Sequence, residues 1–260
     1  MQKWIWWVSG ALVVVCAVVL WLSWRATHHA ASAAPPVAAA IARPPEPAIS
    51  NPVPEGGASG GAPLPALEGS DQPLHDALAE ISGSKPLDAV LRPEMLVRHI
   101  VVTIDNLPRK RLAIELRPVK PVPGPFMATG EDSAATLDPA NYERYAPYVR
   151  LAQSLDVQRF TALYFHFYPL FQQAYQNLGY PNGYFNDRLV AAIDDALAAP
   201  ELRGPVALVR PNVMYQYADP KLEGLSSGQK LLLRIGPDNE AIIKAKLREL
   251  RAAVAQKRPG

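Results

Sequence analysis

The amino-terminal region contains an apolar run over residues 4–24 that no charged residue interrupts. Its roughly 21 residues are the length that an α-helix needs to cross the ~30 Å hydrocarbon core of a bilayer. The tryptophans lie at the two ends of the run, where indole rings match the membrane–water interface: Trp4, Trp6, Trp7, Trp21 and Trp24. The run predicts one transmembrane helix, and we assign residues 1–29 to a membrane anchor with its flanks.

A cleaved signal peptide is the alternative interpretation, because Ala31-Ser32-Ala33 has the pattern of a processing site. Signal peptides have a shorter apolar stretch and a more basic leader, whereas Lys3 is the only charged side chain before this run. Retention as an anchor is therefore favoured. A short amino-terminal tail before a bulky carboxy-terminal domain favours a cytoplasmic amino terminus with the domain on the other side of the membrane. The long tether that follows the run suits a bacterial inner-membrane protein with a periplasmic domain. Lys3 and Arg25 nearly balance each other under the positive-inside rule, so charge alone leaves the orientation open.

Residues 30–73 have the composition of a disordered, Pro-rich linker. They contain ten prolines with many Ala, Gly and Ser, and no periodic apolar pattern. Such a segment cannot bury enough surface to offset the entropy lost on folding. In an extended form it would hold a domain on the order of 100 Å from the membrane.

Residues 74–256 have a globular composition and predict a compact, mainly α domain, followed by a short tail at residues 257–260. The chain carries 26 Lys and Arg against 24 Asp and Glu, and this net charge is far too small to argue for nucleic acid as a partner recognised through its phosphates, so none is expected. Helical periodicity and end signals predict helices over residues 93–107, 137–155, 156–178, 186–198 and 238–256. Pro147 should split the second, and residues 206–209 and 213–217 predict a small β-hairpin.

The helix over residues 156–178 contains most of the aromatic side chains of the domain. Phe160, Tyr164, Phe167 and Phe171 follow one face, a spacing typical of a core face. Pro169 lacks an amide donor and should bend or break this helix. A bend would free backbone acceptors near His166 and Tyr168, so this turn is a candidate polar pocket.

Two common catalytic motifs are absent from the sequence: it contains no HExxH and no phosphate-binding P-loop. Ser227 and Lys230 form an S-x-x-K pattern, as in penicillin-binding acyltransferases, but the accompanying S-x-N and K-T-G motifs are missing. The same stretch also predicts a capping box in which Ser226 and Gln229 begin a helix, and we favour that interpretation. Asp194 and Asp195 are adjacent, so on a helix they diverge and make a poor acid–base pair.

No cofactor and no metal site are predicted. A single Cys excludes a site built from several thiolates. His99 and His166, the histidines within patterned helices, have no carboxylate three or four positions away on the same helix. The basic run over residues 109–111 suits either an anionic polymer or a solvated helix end, and the second is favoured.

Four strings of the sequence resemble the proteobacterial domain-of-unknown-function family 3014. They are TIDNLPR (residues 103–109), LDPANYERYAPYV (137–149), YPLFQQAYQNLGYPNGYFNDRL (168–189) and ADPKLEGLSSGQKLLLRIGPDN (218–239). The likeness covers most of residues 74–256, and the anchor and linker are similar to the layout of that family. The resemblance implies a membrane-tethered bacterial protein and transfers no catalytic residue.

Two classes of function remain. The first is a non-catalytic interaction or scaffold module of the cell envelope, which binds an envelope protein or peptidoglycan while its anchor is integral to the membrane. The second is a periplasmic enzyme with its site beside Tyr168 and Pro169. Polar residues near the bend and the helix ends are the candidate binding pocket for either class: Asp105, Asn106, Arg109, His166, Tyr168, Gln172, Tyr184, Asn186 and Asp187.

Overall fold

The computed structural model of the chain describes residues 48–54, 63–131 and 134–255. These residues lie in one compact unit, Pro47–Gly260. The anchor predicted over residues 1–29 and most of the predicted linker lie outside the described residues. Within the described ranges, no helix combines the length and the apolar composition needed to cross a bilayer.

Helices dominate the domain, as the sequence predicts. The described part of the chain holds two short 3₁₀-helices, Leu67–Gly69 and Ile114–Leu116, and the α-helices α1 (Asp71–Ser82), α2 (Ser84–Val90), α3 (Leu96–Asn106), α4 (Ala140–Arg144), α5 (Ala146–Ser154), α6 (Val157–Asn177), α7 (Phe185–Leu197), α8 (Pro220–Glu223), α9 (Ser227–Ile235) and α10 (Pro237–Val254). Pro147 lies in the first turn of α5, so the predicted split between α4 and α5 is confirmed.

A small antiparallel sheet accompanies the helices, with strands in the order β1 (Ala128–Thr129), β2 (Ala135–Leu137), β3 (Ala207–Val209) and β4 (Gln216–Tyr217). The predicted hairpin corresponds to β3 and β4, which pair Leu208 with Tyr217. The sheet is larger than predicted, because β2 pairs with β3 and β1 pairs with the other edge of β2. Strands of two or three residues are too short to show the alternation that identifies a strand in a sequence.

The main core forms around α6, which packs against α1, α3, α7 and α10. The aromatic face predicted on this helix is buried at Tyr164, Phe167 and Phe171, which confirms its role as a core face. The predicted break at Pro169 does not occur, and α6 is continuous from Val157 to Asn177. Pro169 is itself exposed while Leu170 beside it is buried, so packing on the inner face holds the helix together across the missing amide.

Two helix starts differ from the prediction. α3 begins at Leu96 rather than at Pro93, because Met95 adopts a left-handed conformation with φ 48°. The Asp71 carboxylate, at the start of α1, accepts hydrogen bonds from the amides of Met95 and Leu96 at 2.7 Å each. These bonds supply partners to amide groups at the start of α3 that have none within the helix. α7 begins at Phe185, one residue before the predicted start, so Asn186 and Asp187 lie inside its first turn.

The folded part of the chain starts earlier than residue 74. Ser70 is fully buried and α1 begins at Asp71. Residues 48–54, which we call the strap, lie against the domain, and both Val53 and Leu64 pack on the main core. A Pro-rich composition does not prevent this docking, because the domain supplies the polar partners and the apolar surface that the segment lacks.

Candidate functional site

The first group of candidate residues forms an ion-pair network at the carboxy-terminal end of α3. Arg109 Nη2 donates to Asp105 Oδ2 at 2.7 Å, and Arg188 Nε, from α7, donates to Asp105 Oδ1 at 3.0 Å. Arg188 also donates to the backbone carbonyl of Asp105. Tyr180 completes the network, because its hydroxyl accepts from Arg109 at 2.6 Å and lies 3.4 Å from Asp105 Oδ2.

This network has the character of a structural clamp. The Asp105 side chain is 6% exposed, and both of its oxygens bind guanidinium groups. The negative charge of Asp105, followed by the hydrogen bond to Tyr180, raises the pKa of Arg109. Asn106 does not join the network, since its amide donates back to the carbonyl of Val102 at 2.7 Å. Arg188 and Tyr180 were not among the predicted residues, because only the fold brings α7 to the end of α3.

The second group is centred on Gln172 of α6. Gln172 Oε1 accepts from the Tyr168 hydroxyl at 3.0 Å and from the Phe185 amide at 2.8 Å, while its Nε2 donates to the Gly183 carbonyl at 2.7 Å. Burial raises the pKa of the Tyr168 phenol to about 12, so this hydroxyl remains a donor at neutral pH. The group therefore fastens the loop before α7 to α6. Tyr184, half-buried in that loop, accepts the Arg188 amide through its carbonyl.

The third group holds the strap on the first turn of α7. Asn186 is fully buried; it accepts the Tyr164 hydroxyl at 3.0 Å and donates to the carbonyls of Asn51 and Val254. Asp187 accepts the amides of Ser50 and Asn51 at 3.0 and 2.7 Å, and the Asn51 side chain at 2.9 Å. These two side chains thus join the strap, α6, α7 and the end of α10.

Replacing Asp187 with Ala is expected to release the strap. Hydrogen bonds to a charged acceptor contribute roughly 1.5–3 kcal/mol each, so the amides of Ser50 and Asn51 should exchange with solvent at least about tenfold faster. Hydrogen–deuterium exchange of the full-length protein measures this. Asp194→Ala is the control, because Asp194 lies on the same helix and pairs with Arg251 instead. Unchanged exchange at Ser50 and Asn51 in Asp187→Ala would contradict this role.

Seven of the nine candidates therefore lie in three separate hydrogen-bond networks around the loop before α7 and its first turn, and Asn106 and His166 are not part of these networks. His166 lies outside these networks, with its ring edge-on to Phe167 at 5.1 Å between centroids. None of the nine lines any of the three described cavities.

The remaining catalytic patterns also have structural partners. Ser226 and Gln229 form the predicted capping box of α9, and the Ser226 hydroxyl donates to Asp195 Oδ2 at 2.6 Å. Lys230 lies 3.1 Å from the Glu223 carboxylate. Over the described ranges, no group of three His, Cys, Asp or Glu side chains is placed to hold a metal ion.

A groove that was not predicted lies between the end of α3, the connector of residues 110–122, α5 and α9. Its volume is about 460 Å³, and most of its walls are Leu, Ile, Val and Pro side chains. Among the described residues that line it, none is Asp, Glu, His or Cys, and five are cations: Lys110, Arg117, Lys120, Lys230 and Arg234. We call it the cationic groove.

Backbone carbonyls position two of these cations. Lys120 Nζ donates to the Asp88 carbonyl at 2.5 Å, and Arg117 Nε donates to the Ile114 carbonyl at 3.1 Å. A carbonyl satisfies a hydrogen bond but leaves the charge uncompensated. Burial raises the pKa of Tyr148, and the positive charge of Arg117 acts in the opposite direction. Ile114 of the connector and Leu231 of α9 both line the groove and are 59% and 42% exposed.

The sequence contains two signals of this groove, the basic run at residues 109–111 and the Pro-rich connector. Neither signal shows that α9 lies opposite, because the pairing of distant segments is a property of the fold. The turn between α3 and the connector contacts α9 through backbone bonds that are far apart in sequence: the amides of Ser227 and Gly228 donate to the carbonyls of Arg109 and Leu107.

The family model described as "Protein of unknown function (DUF3014)" matches residues 96–251. No curated protein and no solved structure matches the chain. The match begins at the first residue of α3 and ends within α10, so it includes the Asp105 network and the cationic groove and leaves out the strap. It also includes all four strings on which the resemblance was based. Because the match covers more than half of the chain, the protein belongs to the DUF3014 family.

Proposed function

We propose that the domain is the non-catalytic binding module of a membrane-tethered protein of the bacterial envelope, and that it binds another envelope protein through the cationic groove. The proposal keeps the orientation expected from the sequence, with a single inner-membrane helix and a periplasmic domain. The observation that carries it is the groove itself, an apolar concave surface with a cationic lining. Exposed apolar surface bordered by polar groups is typical of interaction sites.

Binding accounts for the arrangement of polar groups better than catalysis does. The predicted acid and amide side chains are hydrogen-bonded to one another or to backbone, as in the pairs of Asp105 with Arg188 and of Gln172 with Tyr168. General acid–base catalysis requires a group free to reach the substrate, with its pKa near the working pH. The Tyr168 pKa of about 12 is far from that range.

A protein partner suits the groove better than peptidoglycan does. Glycan strands present hydroxyl and amide groups, which need many hydrogen-bonding partners when they are desolvated. The groove instead offers apolar walls from α9 and the connector. Apolar side chains of a polypeptide would bury those walls at roughly 25 cal/mol per Å². Peptidoglycan binding is therefore an outcome of the test and not part of the proposal.

Site-specific photocrosslinking in intact cells tests this function. A photoreactive amino acid replaces Leu231, which is exposed in the groove, in the full-length protein; the control replaces Leu178, which is 40% exposed and outside the groove. We expect a discrete adduct from position 231 and none from position 178. Mass spectrometry should identify the partner as an envelope protein and map the crosslinked segment. The same adducts at both positions, no adduct at 231, a cytoplasmic partner, or crosslinking to peptidoglycan would overturn the proposal.

A further inference from the structure

We infer that the ligand of the cationic groove is an acidic amphipathic segment of polypeptide, an inference that rests on the proposed function. Apolar side chains of the segment occupy the floor and walls. Its Asp and Glu side chains lie along the two edges, facing the connector cations Lys110 and Lys120 on one side and Arg234 of α9 on the other.

The positive charge of the groove indicates that the ligand carries negative charge. Five cations line one cavity without a carboxylate among the described lining residues. Lys230 has the carboxylate of Glu223 beside it, outside the lining. Arg117 and Lys120 bind neutral carbonyls. Arg234 lies near the Tyr217 phenol, whose pKa is raised by burial and lowered by the positive charge of Arg234. These partners leave a net positive surface, which repels basic ligands and attracts acidic ones.

The apolar walls specify that the ligand is amphipathic. Ile114 and Leu231 are large side chains, and about half of each is exposed although both line a concave surface. A purely polar acidic chain would satisfy the charges and leave these side chains in water. A segment with apolar residues on one face and acidic residues beside them covers both features, as in the helix-in-groove mode of peptide recognition.

Segments of this chain outside the described residues do not have that chemistry. Residues 1–47 contain Lys3, Arg25 and Arg43 against Glu46, and residues 256–260 contain two cations and no acid. Residues 55–62 are EGGASGGA, with no large apolar side chain. The shape also disfavours an anionic bilayer as the ligand, because a planar surface reaches the edges of a groove but not its walls.

Binding of defined peptides to the full-length protein in detergent micelles tests the inference. The probe is a fluorescent 15-residue peptide with Leu at helical i, i+3, i+4 and i+7 spacing and Glu at the neighbouring positions. Its matched control has Lys at every Glu position. We expect the acidic peptide to bind at least about tenfold more tightly than the basic one, and this preference to weaken as salt is raised.

Charge-reversal variants test whether the peptide binds in the groove. The double variant Lys110→Glu/Arg234→Glu should lose at least about tenfold in affinity for the acidic peptide and gain affinity for the basic one, because the edges then carry opposite charge. Lys85→Glu, an exposed change on α2 outside the groove, should bind like the parent protein. The gain for the basic peptide separates a change of specificity from simple unfolding.

Three results would overturn the inference: equal binding of the two peptides, no binding of the acidic peptide, or binding that the double variant leaves unchanged. Vesicles of phosphatidylglycerol, compared with phosphatidylcholine, are the lipid arm. If the anionic vesicles displace the peptide and also bind more tightly than the peptide does, that result would assign the groove to lipid, and it would overturn the inference as well. A crosslink from position 231 to a segment without acidic residues overturns the inference and leaves the proposed function standing, whereas no crosslink at all overturns the function.

Discussion

Replacing Gly236 with Ala is expected to lower the free energy of unfolding by about 4 kcal/mol, through backbone strain and a steric clash together. Gly236 joins α9 to α10 at φ 88°, a conformation that residues with a side chain rarely adopt. A Cβ atom at this position would lie 2.5–2.7 Å from three carbon atoms of the Tyr142 ring. Chemical denaturation of the full-length protein measures the loss.

Gly204→Ala is the matched control for this prediction. Gly204 has φ +100°, and no heavy atom lies within 4 Å of the position that a Cβ atom would take, so this variant isolates the backbone term of about 1–2 kcal/mol. Combining Gly236→Ala with Tyr142→Ala should be less destabilising than the sum of the single changes by about 2 kcal/mol, because the clash disappears. Equal losses for the two glycine variants, or strict additivity in the double variant, would contradict the steric explanation.

Replacing Asp105 with Asn is expected to lower the free energy of unfolding by about 3 kcal/mol, the effect of breaking a buried ion pair from one side. The substitution keeps the shape of the side chain, but it presents an amide to two guanidinium groups, those of Arg109 and Arg188. The loss of the carboxylate charge costs more at Arg188 than at Arg109, because the Arg188 side chain is 23% exposed while that of Arg109 is 49% exposed. Denaturant unfolding, followed by the circular dichroism of the helices, measures the change.

Arg109→Gln provides the comparison for Asp105→Asn. Because Arg109 is half exposed, solvent screens its pair with Asp105, and we expect a loss of about 1 kcal/mol or less. Arg188→Gln should fall between the two. A loss in Arg109→Gln as large as that in Asp105→Asn would show that the exposed pair, and not the buried Arg188 contact, stabilises this end of α3.

Local signals account for the features that were predicted correctly. The Ser226 capping box, the split at Pro147 and the aromatic face of α6 each depend on residues within about three helical turns, so the sequence displays them directly. Asp156 caps α6 in the same way, accepting the Arg159 amide at 2.9 Å. Such features arise from backbone geometry and hydrogen bonding between near neighbours.

Contacts between distant segments account for the features that were missed. Asp71 sets the start of α3 from 24 residues away, and Arg188 reaches Asp105 across 83 positions. The cationic groove combines a connector rich in proline with a helix more than 100 positions later. A single sequence contains no signal for such pairings, because they depend on how the helices pack around α6. The members of the predicted polar pocket were chosen by position along the chain, and packing places seven of them in three separate networks.

The docked strap changes the point at which a pulling force from the predicted membrane anchor would reach the domain. Ser50 and Asn51 are fixed to Asp187, so the linker predicted from the sequence meets the domain at the strap and not at residue 73. Of the predicted linker, residues 30–47 precede the strap, and at about 3.1 Å per residue their full extension would be roughly 55 Å. Tension from the predicted anchor would then enter the domain at the first turn of α7 and not at α1, where Asp187 and the buried Asn186 hold the strap.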